Sequence, residues 1–522
     1  MVLWGIKPNL MQDHSENTKR IAKNTLMLYG RMLFSMVVSL YTSRVVLNTL
    51  GVVDYGIYGV VGGFVSMFSL ISSSLSSAVS RFLTFELGRG NQERLNKVFS
   101  TSLLIHIALA IVVLVLAETV GIWFVNNKMT IPSDRLYAAN WVFQASIFAF
   151  LFGLFSVPYN ASIISHEKMS AFAYIGILDT TMKLLIVLFI AYFHWHYDKL
   201  IVYAMLLVAV SIAQQCVYMA YCRKNFQECK LNVNFNIDFW KDISSFAGWN
   251  FIGCTAGMLK DQGVNVLLNL MFGPVLNAAR GIASTVNGAV ITFVNNFMTA
   301  LNPQITKSYA LEDYEYCYAI VRKGACFSYY ILLILGIPLI LEADFILSLW
   351  LGQYPEHTLS FVRLVIILSM IEVLSNTQIT LMLATGKIKC YQLVVGGIVL
   401  LNFPISCVCF KVGMPPECSY LIAATLSVIC LFVRLLFLNK LPGFSVGLFI
   451  KEVILRVLLV SIVSLLCPLL FHLCMEVGWL RLIVICLTSF ICSSLSILSI
   501  GCSDIERVVI KRRVKRLLKY IC

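Results

Sequence analysis

Runs of roughly twenty apolar residues, each long enough to span a ~30 Å hydrocarbon core as a helix, recur along this chain from residue 24 to residue 501. Hydrophobic residues make up 59% of the 522 and charged residues 13%, more apolar surface than a soluble domain can hide inside itself. In lipid every backbone polar group needs an internal partner, which leaves helix bundles and closed barrels. The runs are continuous rather than alternating, and continuity selects helices. The expected fold class is an all-α polytopic membrane protein of about fourteen transmembrane helices.

The runs fall near 24–50, 56–82, 98–125, 139–161, 171–193, 200–222, 243–272, 278–302, 323–343, 359–385, 390–410, 418–438, 453–475 and 480–501. With the N-terminus inside, this reading places 28 Lys and Arg on the inner side against 5 outside. That asymmetry is what the positive-inside rule demands, so both termini are expected in the cytoplasm. Residues 1–23 carry Lys7, Asp13, Glu16, Lys19, Arg20 and Lys23 before any apolar core, a cytoplasmic lead-in rather than a signal peptide. The net charge of +14 then reflects inner loops and the basic tail 502–522, not nucleic-acid binding. In that tail Ile510, Val514, Leu517, Leu518 and Ile521 share one helical face opposite Lys and Arg, a pattern suited to an anionic membrane surface.

No loop is long enough to fold by itself; the longest, 223–242, has about twenty residues, far below the size of a core-forming domain. Any function must therefore reside in the membrane bundle. The chain has no G-x-x-x-x-G-K-[ST] phosphate loop, which removes nucleotide-driven pumping by this chain. Most of the 17 cysteines lie inside apolar runs without a C-x-x-C pair, so they are read as small hydrophobes. His194-Trp195-His196 is read as an interfacial belt rather than a metal site.

A shift of 222 residues brings two stretches into register without gaps: Gly51 meets Gly273, Gly59 meets Gly281, Ser80 meets Asn302 and Thr84 meets Thr306. Six spans is an even number, so both halves keep one orientation and form a parallel repeat with a cavity between them. The expected organisation is a cytoplasmic segment 1–23, a first six-helix bundle 24–222, a linker 223–242 and a second bundle 243–438. Two additional helices (453–501) and the basic cytoplasmic tail (502–522) follow.

Polar stripes mark a path through this bundle. Arg280, Ser284, Asn287, Asn295 and Asn302 share a face of span eight, and Asn250, Cys254, Gly257, Asp261, Asn265 and Asn269 share one of span seven, with Lys260 beside them. Span one carries Arg31, Ser35, Ser39 and Thr42, and span two carries Ser66, Ser69, Ser73, Ser77 and Ser80, which also suit close helix packing. A charge at mid-membrane costs at least about 2.5–3.5 kcal/mol unless it is paired or wet. Asp179 and Lys183, four apart, neutralise each other, and Arg363 and Glu372 are read as snorkelling near span ends. Lys260 and Asp261 are adjacent and cannot face each other directly, so at least one needs another partner. The substrate-cavity candidates are Arg31, Lys260, Asp261, Asn265, Arg280, Asn287 and Asn295. Guanidinium forks match phosphate and amides match sugar hydroxyls, so such a cavity suits an anionic, hydrogen-bonding cargo.

The stretches Asn48–Phe64 (NTLGVVDYGIYGVVGGF), Ser80–Gly90 (SRFLTFELGRG), Asn277–Ala283 (NAARGIA) and Phe297–Ala310 (FMTALNPQITKSYA) resemble polysaccharide transporters of the multidrug/oligosaccharidyl-lipid/polysaccharide (MOP) exporter superfamily. Within it they are most similar to the O-antigen and capsule flippases (Wzx type). The resemblance implies two six-helix bundles in a V around a central cavity, working by alternating access in a bacterial cytoplasmic membrane. It implies an undecaprenyl-pyrophosphate-linked glycan as cargo, membrane lipids and polysaccharide polymerase machinery as partners, and no enzymatic activity. No cofactor is expected beyond a coupling ion, Na⁺ or H⁺. Two alternatives stay open: a multidrug/cation antiporter of the same superfamily, and a membrane glycan polymerase or glycosyltransferase. The short, nearly uncharged outer loops speak against the second.

Overall fold

The computed structural model describes residues 8–66, 68–127, 129, 131–193, 198–230, 237–502 and 507. The expected basic tail and the His194–His196 cluster thus lie outside the described residues, apart from Cys502 and Arg507. Among the described residues all regular structure is helical. The first half holds α1 (Pro8–Ser66), α2 (Ser69–Arg89), α3 (Gln92–Leu116), α4 (Ile122–Asn127), α5 (Leu136–Ser165), α6 (Met169–Tyr192) and α7 (Lys199–Asn225). Next come α8 (Ile237–Met258), α9 (Val264–Phe272), α10 (Pro274–Ala310), α11 (Tyr314–Leu341), α12 (Ala343–Leu351), α13 (Thr358–Val373) and α14 (Asn376–Thr385). The chain ends with α15 (Lys389–Leu400), α16 (Asn402–Lys411), α17 (Cys418–Leu438), α18 (Val446–Phe449), α19 (Arg456–Cys474) and α20 (Trp479–Ser496).

Among the described residues ten helical segments are long and apolar enough to cross a membrane, starting with the segment Gln92–Asn127. The helices at the expected second, seventh and eighth spans, which carry polar stripes, are not among these ten. Segment 314–341, with 67% of its apolar window buried, and segment 358–385, with 61%, are central; the other eight are less than half buried. Their exposed faces are apolar, as in Leu458, Leu459, Ile462 and Leu466 of α19 and Leu487, Phe490 and Ile491 of α20. A helix apolar on its outer face needs lipid there, and the chain is a multi-pass membrane protein.

The 222-residue register is visible in the backbone. Gly51 and Gly273, aligned by it, turn the chain with φ of 83° and 86°, a left-handed conformation that glycine adopts without penalty. Gly90 (φ 70°) aligns with Glu312 (φ 61°). The next residues are both N-caps: Asn91 accepts from the Arg94 N–H, and Asp313 from the Tyr316 N–H. Each first turn then holds an acid, Glu93 and Glu315, where it complements the helix dipole.

The chain forms two compact units: residues 1–254 with 299–311, and residues 255–298 with 312–522. These units are cut differently from the bundles drawn on the sequence, because α8 and α10 each contribute to both. The core of the first unit gathers around α5, with Phe143, Ile147 and Leu154 almost fully buried. At one end of this unit Arg135 bridges Asp54, just past the Gly51 turn, and Asp198, the N-cap of α7. In the second unit α19 and α20 dock on α11. Glu342, fully buried, binds Arg481 (3.0 Å) and His472 (2.7 Å) at one end, and Arg322 binds Glu452 (2.7 Å) at the other. The cysteines of the described residues are free, as small hydrophobes would be.

One loop contact outside the spans sets a pH dependence. In the short turn Gln227–Cys229 after α7, Glu228 takes a hydrogen bond from His166 Nε2 (2.6 Å), whose ring stacks on Phe226 at 4.2 Å. Burial works to raise the Glu228 pKa. The contacts from His166, the Glu228 main-chain N–H and Gln92 outweigh it and hold the carboxyl below its ordinary range. A carboxyl depressed in the folded state adds stability above its unfolded pKa and loses it as pH falls through the folded value. Thermal unfolding of the purified protein should therefore lose midpoint as pH drops below the ordinary glutamate value of 4.5. Glu228→Gln should lower the midpoint at neutral pH and flatten that acid limb; an unchanged acid limb would refute the assignment.

Candidate functional site

Three spans of the second unit lose regular helical geometry at one place. Between α8 and α9 the chain makes a wide π turn, Leu259–Gly263. Between α13 and α14 it breaks at Leu374 and Ser375, and between α15 and α16 at Leu401. Irregular backbone at membrane depth survives only where protein or water satisfies the freed groups, and π turns concentrate at functional sites. Side chains do that here. Asn402 Nδ2 donates to the Lys260 carbonyl (3.4 Å), and Arg280 Nη2 donates to the Asp261 carbonyl (3.3 Å). Gly263 lets the Phe403 ring lie against the turn; a Cβ there would sit 2.7 Å from Phe403 Cδ2.

At the centre is an ion pair. Lys260 Nζ lies 2.6 Å from Glu372 Oε1 and 3.9 Å from Asp261 Oδ1. Ser427 of α17 donates to the same Glu372 oxygen (3.2 Å). Glu372 stands midway along the apolar segment Thr358–Thr385, not near a span end as the sequence reading had it. Side-chain exposure grades outward: Lys260 14%, Glu372 39% and Asp261 64%. A carboxylate that open at this depth would cost several kcal/mol against lipid tails, so Asp261 marks a hydrated surface.

Arg280 of α10 carries the second cation. It is buried, its guanidinium carbon lies 5.1 Å over the Tyr420 ring, and its Nη1 has no hydrogen-bond partner among the described residues. The side-chain oxygens of Asn265 and Asn277 are likewise buried without a partner. Asn287 accepts from Ser369 of α13 (2.7 Å), and Asn295 is exposed further along α10. The unpartnered atoms are thus one guanidinium donor and two amide acceptors, so among them they call for both an acceptor and donors.

Of the seven candidates, Lys260, Asp261, Asn265, Arg280, Asn287 and Asn295 all lie in the second unit. Arg31 lies in the first, its guanidinium carbon 4.5 Å over Phe172 and its stem against Gly176, where a Cβ would come within 2.7 Å of Arg31 Cδ. Asp179 and Lys183 do pair, at 2.8 Å. In the serine-rich span the fully packed residue is Ser74, donating to the Ala247 carbonyl at 2.6 Å, while Ser69 and Ser73 are exposed. Sequence reasoning missed Glu372, Ser369, Asn402, Tyr420 and Ser427. For Glu372 the signal was there, since it stands at the middle of 359–385. For the others, polar residues in apolar helices, it was not.

Residues 19–309, more than half of the chain, match the model of a family described as polysaccharide biosynthesis protein. A comparison with curated proteins finds no match. Among solved structures the chain is similar to a MATE transporter in the straight conformation (TM-score 0.67, 12% identity, 81% of this chain and 95% of that one). It is equally similar to an outward-facing multidrug resistance MATE family transporter of the MOP superfamily (TM-score 0.67, 12% identity, 81% and 94%). A MOP superfamily transporter from Pyrococcus furiosus, described as having a binding pocket of reverse polarity, matches at TM-score 0.67 and 12% identity over 81% and 95%. At such identities these likenesses establish the fold. On the family match and that fold together, the chain belongs to the polysaccharide biosynthesis protein family and has the architecture of MOP-superfamily transporters.

Proposed function

We propose that this chain is a flippase that moves a polyprenyl-pyrophosphate-linked oligosaccharide, an O-antigen or capsular repeat unit, across the bacterial cytoplasmic membrane by alternating access. The observation that carries the reading is Arg280, a buried guanidinium with one nitrogen unfilled among the described residues, in the same unit as two asparagines whose buried oxygens are also unfilled. A pyrophosphate supplies acceptors to the first and sugar hydroxyls supply donors to the second. Broken helices meeting at mid-span are where transporters of this kind of architecture hold their substrates. No cofactor enters the reading; Na⁺ or H⁺ is the coupling ion it calls for, and polysaccharide polymerase machinery the partner downstream.

Arg280→Lys keeps the charge and loses the planar fork. It is expected to lower glycan export at least about tenfold, the factor set by one lost charge-assisted bond of about 1.5–3 kcal/mol. Arg280→Ala should abolish it while the protein still inserts. Export, read as surface polysaccharide in a strain lacking the chromosomal copy, checks both; full export by Arg280→Ala sinks the reading.

A second reading, a multidrug/cation antiporter, gains weight from the exposed Asp261 and the partly buried Glu372, which give the site as many acids as bases. It predicts that cells lacking the protein become sensitive to cationic dyes while their surface glycan stays intact.

A further inference from the structure

A heavily liganded carboxylate of the first unit stands in the turn between α5 and α6. Glu167 stands there with φ 57°, a left-handed backbone that a residue with a Cβ adopts only when its surroundings insist. Its side chain is 1% exposed. Three donors from distant parts of the chain converge on the two carboxylate oxygens. Arg20 Nε of α1 lies at 2.8 Å, Gln304 Nε2 at 2.5 Å and Lys307 Nζ at 2.8 Å, the last two from α10. The Glu167 carbonyl takes a fourth bond, from Asn24 Nδ2 of α1 (3.3 Å).

What these donors hold is the end of one helix. α10 belongs to the second unit up to Met298 and to the first from Thr299 to Leu311. Pro303 sits just inside that end, and a proline has no N–H to give the carbonyl four residues back, here that of Thr299. The helix is thus weakest where its membership changes, and beyond the weak point Gln304 and Lys307 tie it down. Packing reinforces the tie: Gly88 of α2 lies so close that a Cβ would meet Lys307 Cα and its carbonyl oxygen at 3.2 Å.

We propose that Glu167 is a positioning residue, a three-donor latch that fixes the 299–311 end of α10 to α1 and the α5–α6 turn, and that releasing it frees this end to move at Pro303. Charge alternation puts the latch on the cytoplasmic side. For its use in transport the proposal rests on the flippase reading, where opening that side must precede cargo entry. The latch itself is a statement about conformation. Its chemistry suits a switch: one carboxylate holds two cations and an amide, so a single event at Glu167 loosens three contacts together.

The test reads conformation and leaves transport aside. Amide hydrogen exchange is followed by mass spectrometry on the full-length protein in lipid nanodiscs, for wild type, Glu167→Gln, Lys307→Gln and Gly88→Leu. Local openings exchange at rates set by their own free energies, so loss of the latch is expected to speed exchange about tenfold or more in peptides covering 304–311, with α17 and α20 unchanged. Gly88→Leu, which leaves every charge in place and wedges the same end outward, should show the same localised rise. Lys307→Gln removes one donor of three, should fold normally and should give a smaller rise in the same peptides. Unchanged exchange in 304–311 for Lys307→Gln and Glu167→Gln overturns the latch, and so does a rise spread evenly over the chain. A positive result here with no export defect in Arg280→Ala would reject the flippase reading and leave the latch standing.

Discussion

Glu372→Leu is expected to destabilise the protein by about 3 kcal/mol and to end export, whereas Lys260→Met combined with Glu372→Leu is expected to restore most of the stability and none of the export. Removing one partner of a buried pair leaves the other charge unpaired, and the usual penalty is about 3–5 kcal/mol. The low end applies because Glu372 is 39% exposed and water shares part of its field. Lys260 is only 14% exposed and sits in the π turn, so without Glu372 the ion-pair partner left to its ammonium among the described residues is Asp261, 3.9 Å away. Replacing both partners by apolar side chains removes the uncompensated charge, which is why the double variant should fold. On the flippase reading it should still fail to export, because Ser427 loses the carboxylate it donates to and the site loses both of its paired charges. Thermal unfolding in detergent, with surface-glycan measurements, distinguishes these outcomes. A single variant as stable as wild type would show that Lys260 is solvated without its partner.

Glu342→Gln should have a comparable or larger effect on stability, about 3–5 kcal/mol, confined at first to the last two helices. Glu342 is fully buried and Arg481 only 10% exposed, so the amide leaves a guanidinium and an imidazole facing each other without a counter-charge. Because both come from the α19–α20 hairpin, the expected symptom is an early unfolding step in which that hairpin leaves α11. Limited proteolysis in the Met475–Gly478 turn reports it directly. At the other end of the hairpin, Arg322→Gln makes an informative contrast. Glu452 is 38% exposed there, and its loss of pairing should cost no more than about 1 kcal/mol. Equal effects of the two variants would mean that burial is not what gives the Glu342 cluster its strength.

The helices were legible because their lengths and continuity follow from the thickness of a bilayer, and the repeat was legible because similar residues recur at one fixed offset of 222. The alignment of Gly51 with Gly273 acquires its meaning from the structure, where both residues turn the chain with positive φ. What it could not give was the conformation of Glu312, which adopts the left-handed geometry of Gly90 without being glycine. At the site the charged residues stood out, since lipid makes them expensive. Lys260, Asp261 and Arg280 do come together, but the pairing of Lys260 with Glu372 depends on how the 259–263 turn and α13 are packed, and 112 residues separate them. Pairing turned a cation-rich stripe into a balanced cluster of two acids and two bases, in which Arg280 Nη1 is buried without a hydrogen-bond partner among the described residues. Arg31 shows the same limit from the other side: its periodicity suggested a shared face, and its place over Phe172 is fixed by a glycine on α6 that no periodicity marks.

The π turn at Leu259–Gly263 also changes how span seven has to be numbered as a helix. A wide turn holds one residue more than an α turn, so the side chains before and after it are out of phase by about 100° relative to an unbroken wheel. Asn250 and Cys254 therefore do not continue the face that carries Asn265, although a uniform period puts them there. A scan of substitutions across 243–272 must be plotted on two wheels, Ile237–Met258 and Val264–Phe272. The same reasoning separates two kinds of lesion. A substitution within 259–263 alters one side chain, whereas deleting a single residue there would rewind the turn and swing one whole segment of the span past its neighbours.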